Sequence, residues 1–133
     1  MNIQIDFRSG GPIYLQIVEQ VQQMIAQGEL KKGDQLPTVR QLATDLRVNF
    51  NTVARAYRLL DEAGLISTQQ GRGTYIWEAP PEEAMQQLRQ TGLYEMVQHV
   101  LEEAERMGYS IEEIEQAFAE QVQARKAKLA TND

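Results

Sequence analysis

Residues 36–76, LPTVRQLATDLRVNFNTVARAYRLLDEAGLISTQQGRGTYI, decide the fold. Pro37-Thr38 opens a helix predicted from 38 to about 46. In it Val39, Leu42, Ala43 and Leu46 recur at helical spacing, and Gln41, Asp45 and Arg47 take the other side. Asn49 is a good N-cap, because its side chain can accept from the free amides of a first turn. The helix it opens stops before Gly64, a residue suited to the left-handed position past a helix end. At about 100° per residue, Val53, Ala56, Tyr57 and Leu60 share one face, and Asn51, Arg55 and Arg58 the other. Two helices joined by three or four residues, the second polar and basic at its start, fit a helix-turn-helix. Residues 65–68 and 74–77 then alternate apolar and polar across Gln69-Gln70-Gly71-Arg72-Gly73, a two-stranded wing with a glycine-flanked basic tip.

On the N-terminal side, residues 1–7 alternate Ile3, Ile5 and Phe7 with polar residues, which reads as a short strand or an ordered arm. Gly10-Gly11-Pro12 breaks the chain, and Pro12 suits a first helical turn. Ile13, Ile17, Val21, Met24 and Ile25 form the apolar stripe of a helix predicted over 13–26, with Leu30 expected in the same core. Lys31-Lys32-Gly33-Asp34 turns into Gln35-Leu36, an extended pair placed to join the wing strands.

On the C-terminal side, Ala79-Pro80-Pro81 marks a boundary, since two prolines end a strand and favour a helix start. Residues 82–107 then read as a helix in which Gly92 is the place for a kink, closed by Gly108-Tyr109. Ser110-Ile111-Glu112-Glu113 is a capping box opening another helix, whose lysine-rich end is expected to fray. The fold class is mostly α: a winged helix-turn-helix of three helices plus a β-hairpin wing in 1–78, then a two-helix hairpin in 79–133. Two helices offer each other one surface apiece, so part of each apolar stripe would stay wet. The tail is therefore expected to dimerise through Leu93, Met96, Val97, Val100, Leu101, Ile111, Ile114, Phe118 and Val122.

The chain resembles the winged helix-turn-helix of the GntR superfamily of bacterial transcription regulators. VNFNTVARAYRLLDEAGLI, QGRGTYI and PIYLQIVEQVQQMIAQGELKKGDQLPTVRQLA are all similar to its YtrA-type branch, so the resemblance covers nearly all of the first 78 residues. It implies a homodimeric, sequence-specific DNA-binding regulator that represses a transporter-type operon from a pseudo-palindromic operator. Two departures stand out. Arg47 occupies the inter-helix turn where the family commonly has glycine; if that turn needs positive φ, arginine costs on the order of 1 kcal/mol there. Phe50 and Ala54 stand where many members carry basic residues, so those contacts do not transfer, and Arg55 is the substitute.

The candidate DNA-binding residues follow. Asn51, Thr52 and Arg55 lie on the first turns of the recognition helix, where asparagine can pair adenine and arginine can pair guanine at major-groove edges. Which of the three meets bases and which meets phosphates is open. Asn49 is a cap first and a reader second, and Thr38 caps its helix with a hydroxyl that can also reach a phosphate. The resemblance implies a DNA contact at Arg40, against a surface pair with Asp34 or Asp45. Gly71-Arg72-Gly73 suits a wing tip approaching the backbone or a narrow minor groove. Arg58 and Lys31-Lys32 are further phosphate candidates, and Phe50 could stack on a sugar or a thymine methyl.

Net charge is −6, which at first argues against nucleic acid, but the charge is divided. Residues 1–78 hold eight basic and eight acidic side chains; residues 79–133 hold five and eleven. Residues 31–77 hold seven against four, so a locally positive surface survives. With no cysteine, disulfides and thiolate metal sites are excluded. His99 stands as the sole histidine in an acidic helix, so neither metal nor cofactor is expected. No catalytic constellation is present, which argues against an enzyme. No apolar run nears the ~20 residues of a membrane span, and a cytoplasmic location is expected. A tail of 55 residues is expected to be too short for a large effector domain, although a dimer seam could hold something small. The competing reading is a winged helix used as a protein-interaction module, whose exposed helix face would be acidic or apolar.

Overall fold

A computed structural model describes residues 1–9, 11–69, 72–77 and 82–131. The elements run α1 (Ile13–Ala26), β1 (Gln35–Leu36), α2 (Val39–Leu46), α3 (Phe50–Glu62), β2 (Ile66–Gln69), β3 (Gly73–Ile76), α4 (Glu82–Arg106) and α5 (Ile111–Thr131). The chain divides into two compact units, Met1–Met96 and Val97–Asp133.

In the first unit α2 and α3 begin where the chain supplies a side-chain cap, whereas α1 starts after Pro12 without one. Thr38 and Gln41 form a reciprocal capping box at the start of α2, with both bonds at 3.0 Å. Asn49 Oδ1 accepts from the Asn51 amide at 2.7 Å and starts α3. Ile17, Val21, Val53, Leu60, Leu65 and Ile66 form the innermost core, and burial of each such side chain contributes roughly 1.5–3 kcal/mol. The sheet is antiparallel in the order β1-β3-β2, with Leu36 opposite Thr74 and Ile66 opposite Ile76. Gln35-Leu36 thus joins the wing strands as its extended reading predicts. Burial raises the Tyr57 phenol well above its usual range, and its hydroxyl donates to the Pro37 carbonyl at 2.7 Å, tying α3 to the entry of α2.

The inter-helix turn does take the left-handed conformation. Arg47 sits at φ 58° and ψ 43°, the one non-glycine at positive φ among the described residues. This conformation, which a β-carbon disfavours, is the one that the family's usual glycine would adopt without strain.

Of the two readings of residues 1–7, short strand or ordered arm, the structure takes the arm. Gln16 and Gln20 of α1 each donate to and accept from its backbone, at Asp6 and Gln4 respectively, and Ile3 is buried while Phe7 is exposed. The stripe read on α1 was too narrow, because Tyr14, Leu15 and Val18 are buried as well. The physical reason is the start of α4: Leu88 is buried and Met85 half-buried in the same core, so α1 is covered on a second side. By compactness residues 82–96 group with the winged part in the first unit, and Ala79-Pro80-Pro81 lies outside the described residues. α4 runs unbroken through Gly92. α5 continues through its lysines to Thr131 instead of fraying. Alanine, lysine and arginine are good helix formers, cations near a C-terminus suit the helix dipole, and Arg125 donates back to Gln121.

In the second unit, the Ser110–Glu113 capping box opens α5 with both bonds at 3.1 Å. Ile114 is buried and Leu101 half-buried, while Val97, Val100, Ile111, Phe118 and Val122 are exposed.

Substitutions at two positions test these backbone assignments by denaturant unfolding. Arg47→Gly is expected to raise stability by about 0.5–1 kcal/mol, since relief of the left-handed strain exceeds the entropy of glycine in the unfolded chain. Arg47→Ala keeps the β-carbon and should show no such gain. At Gly92 a Cβ would meet Leu15 Cδ2 at 3.8 Å, an ordinary contact. Gly92→Ala is therefore expected to add up to about 1 kcal/mol through helix propensity alone.

Candidate nucleic-acid interface

α3 carries the candidate interface because its two faces have opposite fates. Val53, Ala56, Tyr57 and Leu60 are buried, so the helix is seated along one side, and Asn51, Arg55 and Arg58 on the other side are exposed. Thr52 is half-buried at the edge of this face, and Phe50 in the first turn is 49 % exposed. The Asn49 side-chain oxygen is used by its cap, which leaves the amide nitrogen free to donate.

The other predicted contacts surround this face in sequence. Arg40 is exposed on α2 and, among the described residues, pairs with neither Asp34 nor Asp45. The Thr38 oxygen accepts in the capping box, and its proton can still be donated. On the wing, Arg72 is exposed and its carbonyl accepts from the Tyr75 hydroxyl at 2.6 Å, which fixes the backbone next to the tip. Gly73 has φ 106°, a backbone conformation that demands glycine; a Cβ there would lie 2.8 Å from Gln35 Nε2, the movable end of an exposed side chain, so space is the lesser constraint. Gly71 lies outside the described residues. The Thr68 and Thr74 hydroxyls meet at 3.3 Å across the hairpin.

Arg55 departs from a plain outward-facing reader. Its guanidinium carbon lies 4.1 Å from the centre of the Tyr14 ring, and Nη2 lies 3.6 Å from Glu95 Oε2. The Tyr14 hydroxyl donates to the same carboxylate oxygen. Burial, with the Glu95 hydrogen bond and charge added, pushes the Tyr14 phenol up to about 12 against a smaller opposing effect of Arg55. Leu59, Glu62 and Ala63 line a cleft with Gln87, Leu88 and Thr91, so α4 runs along the same flank of α3 that bears Arg55. Asn51 and Arg58 are exposed and outside this cluster. Sequence reasoning missed Tyr14 and Glu95. Tyr14 lay off the stripe read for α1, and Glu95 is 81 positions from its partner, so no local pattern announces the pair.

A helix-turn-helix with a β-wing, presenting an asparagine-arginine face from its second helix, defines a DNA-binding protein of the winged-helix class. The family model "Bacterial regulatory proteins, gntR family" matches residues 13–76. The Bacillus subtilis repressor YtrA is 53 % identical over 76 residues, a match that spans 57 % of this chain and 58 % of that protein. The B. subtilis regulator YhcF, itself described as uncharacterized, is 34 % identical over 81 % of this chain and 88 % of its own length. The structure of YtrA from Sulfolobus acidocaldarius, a GntR-family transcription factor, is 42 % identical with a TM-score of 0.55, covering 65 % of this chain and 89 % of that one. The chain belongs to the GntR family, in its YtrA-type branch, and is a transcription regulator rather than an enzyme. Among the described residues no helix is long and apolar enough to cross a membrane.

Removal of the free cations should separate phosphate contacts from base contacts. Arg58→Ala and Arg72→Ala are each expected to reduce the slope of log K against log salt by about 0.9 and to weaken all sequences alike. Asn51→Ala should instead cost about 1–3 kcal/mol on the specific site and relax preference at one position, as read by fluorescence anisotropy on operator variants.

Proposed function

We propose that this chain is a cytoplasmic, sequence-specific repressor that occupies a pseudo-palindromic operator as a homodimer. Residues 1–78 are its DNA-binding part and 79–133 its dimerisation part. The observation that carries the reading is the exposed Asn51–Arg58 face of α3, backed by an apolar face buried in the winged core. Thr38, Arg40, Asn49, Thr52, Arg55 and the wing residues 71–73 are the remaining DNA contacts of this reading. Control of a transporter-type operon is its finer part and rests on likeness to the YtrA-type branch.

The dimer follows from unpartnered apolar surface. Leu93, Met96, Val97, Val100, Ile111, Phe118 and Val122 are all exposed in the single chain, between 38 % and 58 %. Ile114 is already buried within the chain and Leu101 is half-buried, so these two serve the hairpin before any seam. Exposed apolar side chains repeating along two long helices mark an association surface, and a second copy is the partner such a surface finds without any other protein. Two copies would present two recognition helices to successive half-sites of a palindrome.

Duplex from the upstream region of the protein's own gene is expected to be retarded in a gel, with steep salt dependence, and random duplex is not. Binding indifferent to sequence would remove the repressor reading. Light scattering should give twice the chain mass for the wild type. Phe118→Glu with Val122→Glu, both at exposed positions, should return it to a monomer and weaken operator binding at least tenfold, the loss expected when avidity disappears. A double variant that keeps the dimer mass would overturn the assigned role of α5.

A further inference from the structure

Arg55 is the recognition-helix cation with a partner already in place, and the partner is loosely made. Its nearest carboxylate contact, at 3.6 Å, is an ion pair beyond hydrogen-bonding distance, and its side chain is 53 % exposed. The other contact of the trio is the Tyr14–Glu95 hydrogen bond, which orients the carboxylate on α4 without help from the arginine. Glu95 is only 23 % exposed, so its charge is screened less than a free surface carboxylate would be. Tyr14 supplies a ring face under the guanidinium at 4.1 Å. A half-exposed cation thus lies on a platform prepared by two more buried side chains.

We propose that Tyr14 and Glu95 are positioning residues that compete with DNA for the Arg55 guanidinium. In the free protein Arg55 rests on them; in the operator complex it leaves them for a phosphate or base edge. Operator affinity is therefore set partly by a carboxylate on α4 that never touches DNA. The inference rests on the DNA-binding reading above and adds a control element to it. A half-exposed ion pair is weak enough to be exchanged for a duplex contact, so the competition lowers affinity without abolishing binding.

The test is a double-mutant cycle on the full-length protein with its operator, read by anisotropy across a salt series. Glu95→Gln keeps the shape and can still accept from Tyr14, and it should raise affinity about threefold to tenfold. In the Arg55→Ala background the same change should gain less than about twofold, because the competitor then has nothing to hold. Arg55→Ala alone should lower the salt slope by about 0.9. Thermal melts of all four proteins check that the fold is intact, and Arg55→Lys should retain the slope if the charge is what reaches the duplex. An equal gain from Glu95→Gln in both backgrounds would show a bulk charge effect and overturn the proposal. So would an unchanged salt slope in Arg55→Ala, which would leave the arginine on α4 in the complex. A wild-type protein that binds no duplex would overturn the proposed function together with this inference, whereas binding without the cycle's coupling overturns this inference alone.

Discussion

The burial of Val53, Ala56, Tyr57 and Leu60 along one side of α3 is the constraint on which the rest depends. Val53, Ala56 and Leu60 expose nothing, and Tyr57 is held further by its hydroxyl on the Pro37 carbonyl. A helix of 13 residues fixed this way cannot rotate without pulling three apolar side chains into water. What remains outside is therefore determined: Asn51, Arg55, Arg58 and the exposed Phe50. The same side chains that stabilise the unit also decide which residues can meet a duplex.

The first half of α4 adds a second layer of determination. By burying Leu88 and half-burying Met85, it closes the side of α1 that carries Leu15 and Val18, and it brings Glu95 to Tyr14 and Arg55. The exposed face of α3 is in consequence asymmetric. One flank, with Leu59, Glu62 and Ala63, runs beside α4; Asn51 and Arg58 stay outside the cluster. Arg55 sits at the edge between these surroundings, which explains how a side chain on the polar stripe can still be tied to the interior of the unit.

Most of the winged unit was legible because its signals are local. Thr38 and Asn49 mark helix starts by capping chemistry, Gly64 marks a helix end, and the alternation around residues 69–73 marks a hairpin; none of these needs knowledge of distant contacts. The bounds of α1 emerged from Pro12 and from the stripe of Ile13, Ile17 and Val21 for the same reason. The errors lie where tertiary packing overrides the local pattern. Tyr14, Leu15 and Val18 fall off the α1 stripe and are buried because α4 returns to cover them. Arg55 and Asn51 lie on one polar stripe and look equivalent in the sequence. The difference between them is made by Tyr14 and Glu95, one on each neighbouring helix. Arg47 was readable in a different way: an expected glycine replaced by arginine posed a question about the turn, and the left-handed φ of 58° answers it.

The two halves of the chain differ in whether their own apolar surface is satisfied. The winged unit has a continuous core with no buried side-chain polar atom lacking a hydrogen bond among the described residues. α5 is 21 residues long, yet Ile114 is its one buried side chain. Helix propensity and pairs such as Gln116–Glu120 and Arg125–Gln121 supply a few tenths of a kcal/mol each, enough to favour helical backbone but not to hide Phe118 and Val122. In proteins most helical stability comes from packing an apolar face, so a helix of this length with a wet stripe is incomplete as tertiary structure. If a second copy completes it, the order of α5 depends on protein concentration while that of the winged core does not. DNA affinity would then inherit that concentration dependence through the seam, even though the candidate DNA contacts all lie in the winged unit, whose own core is continuous.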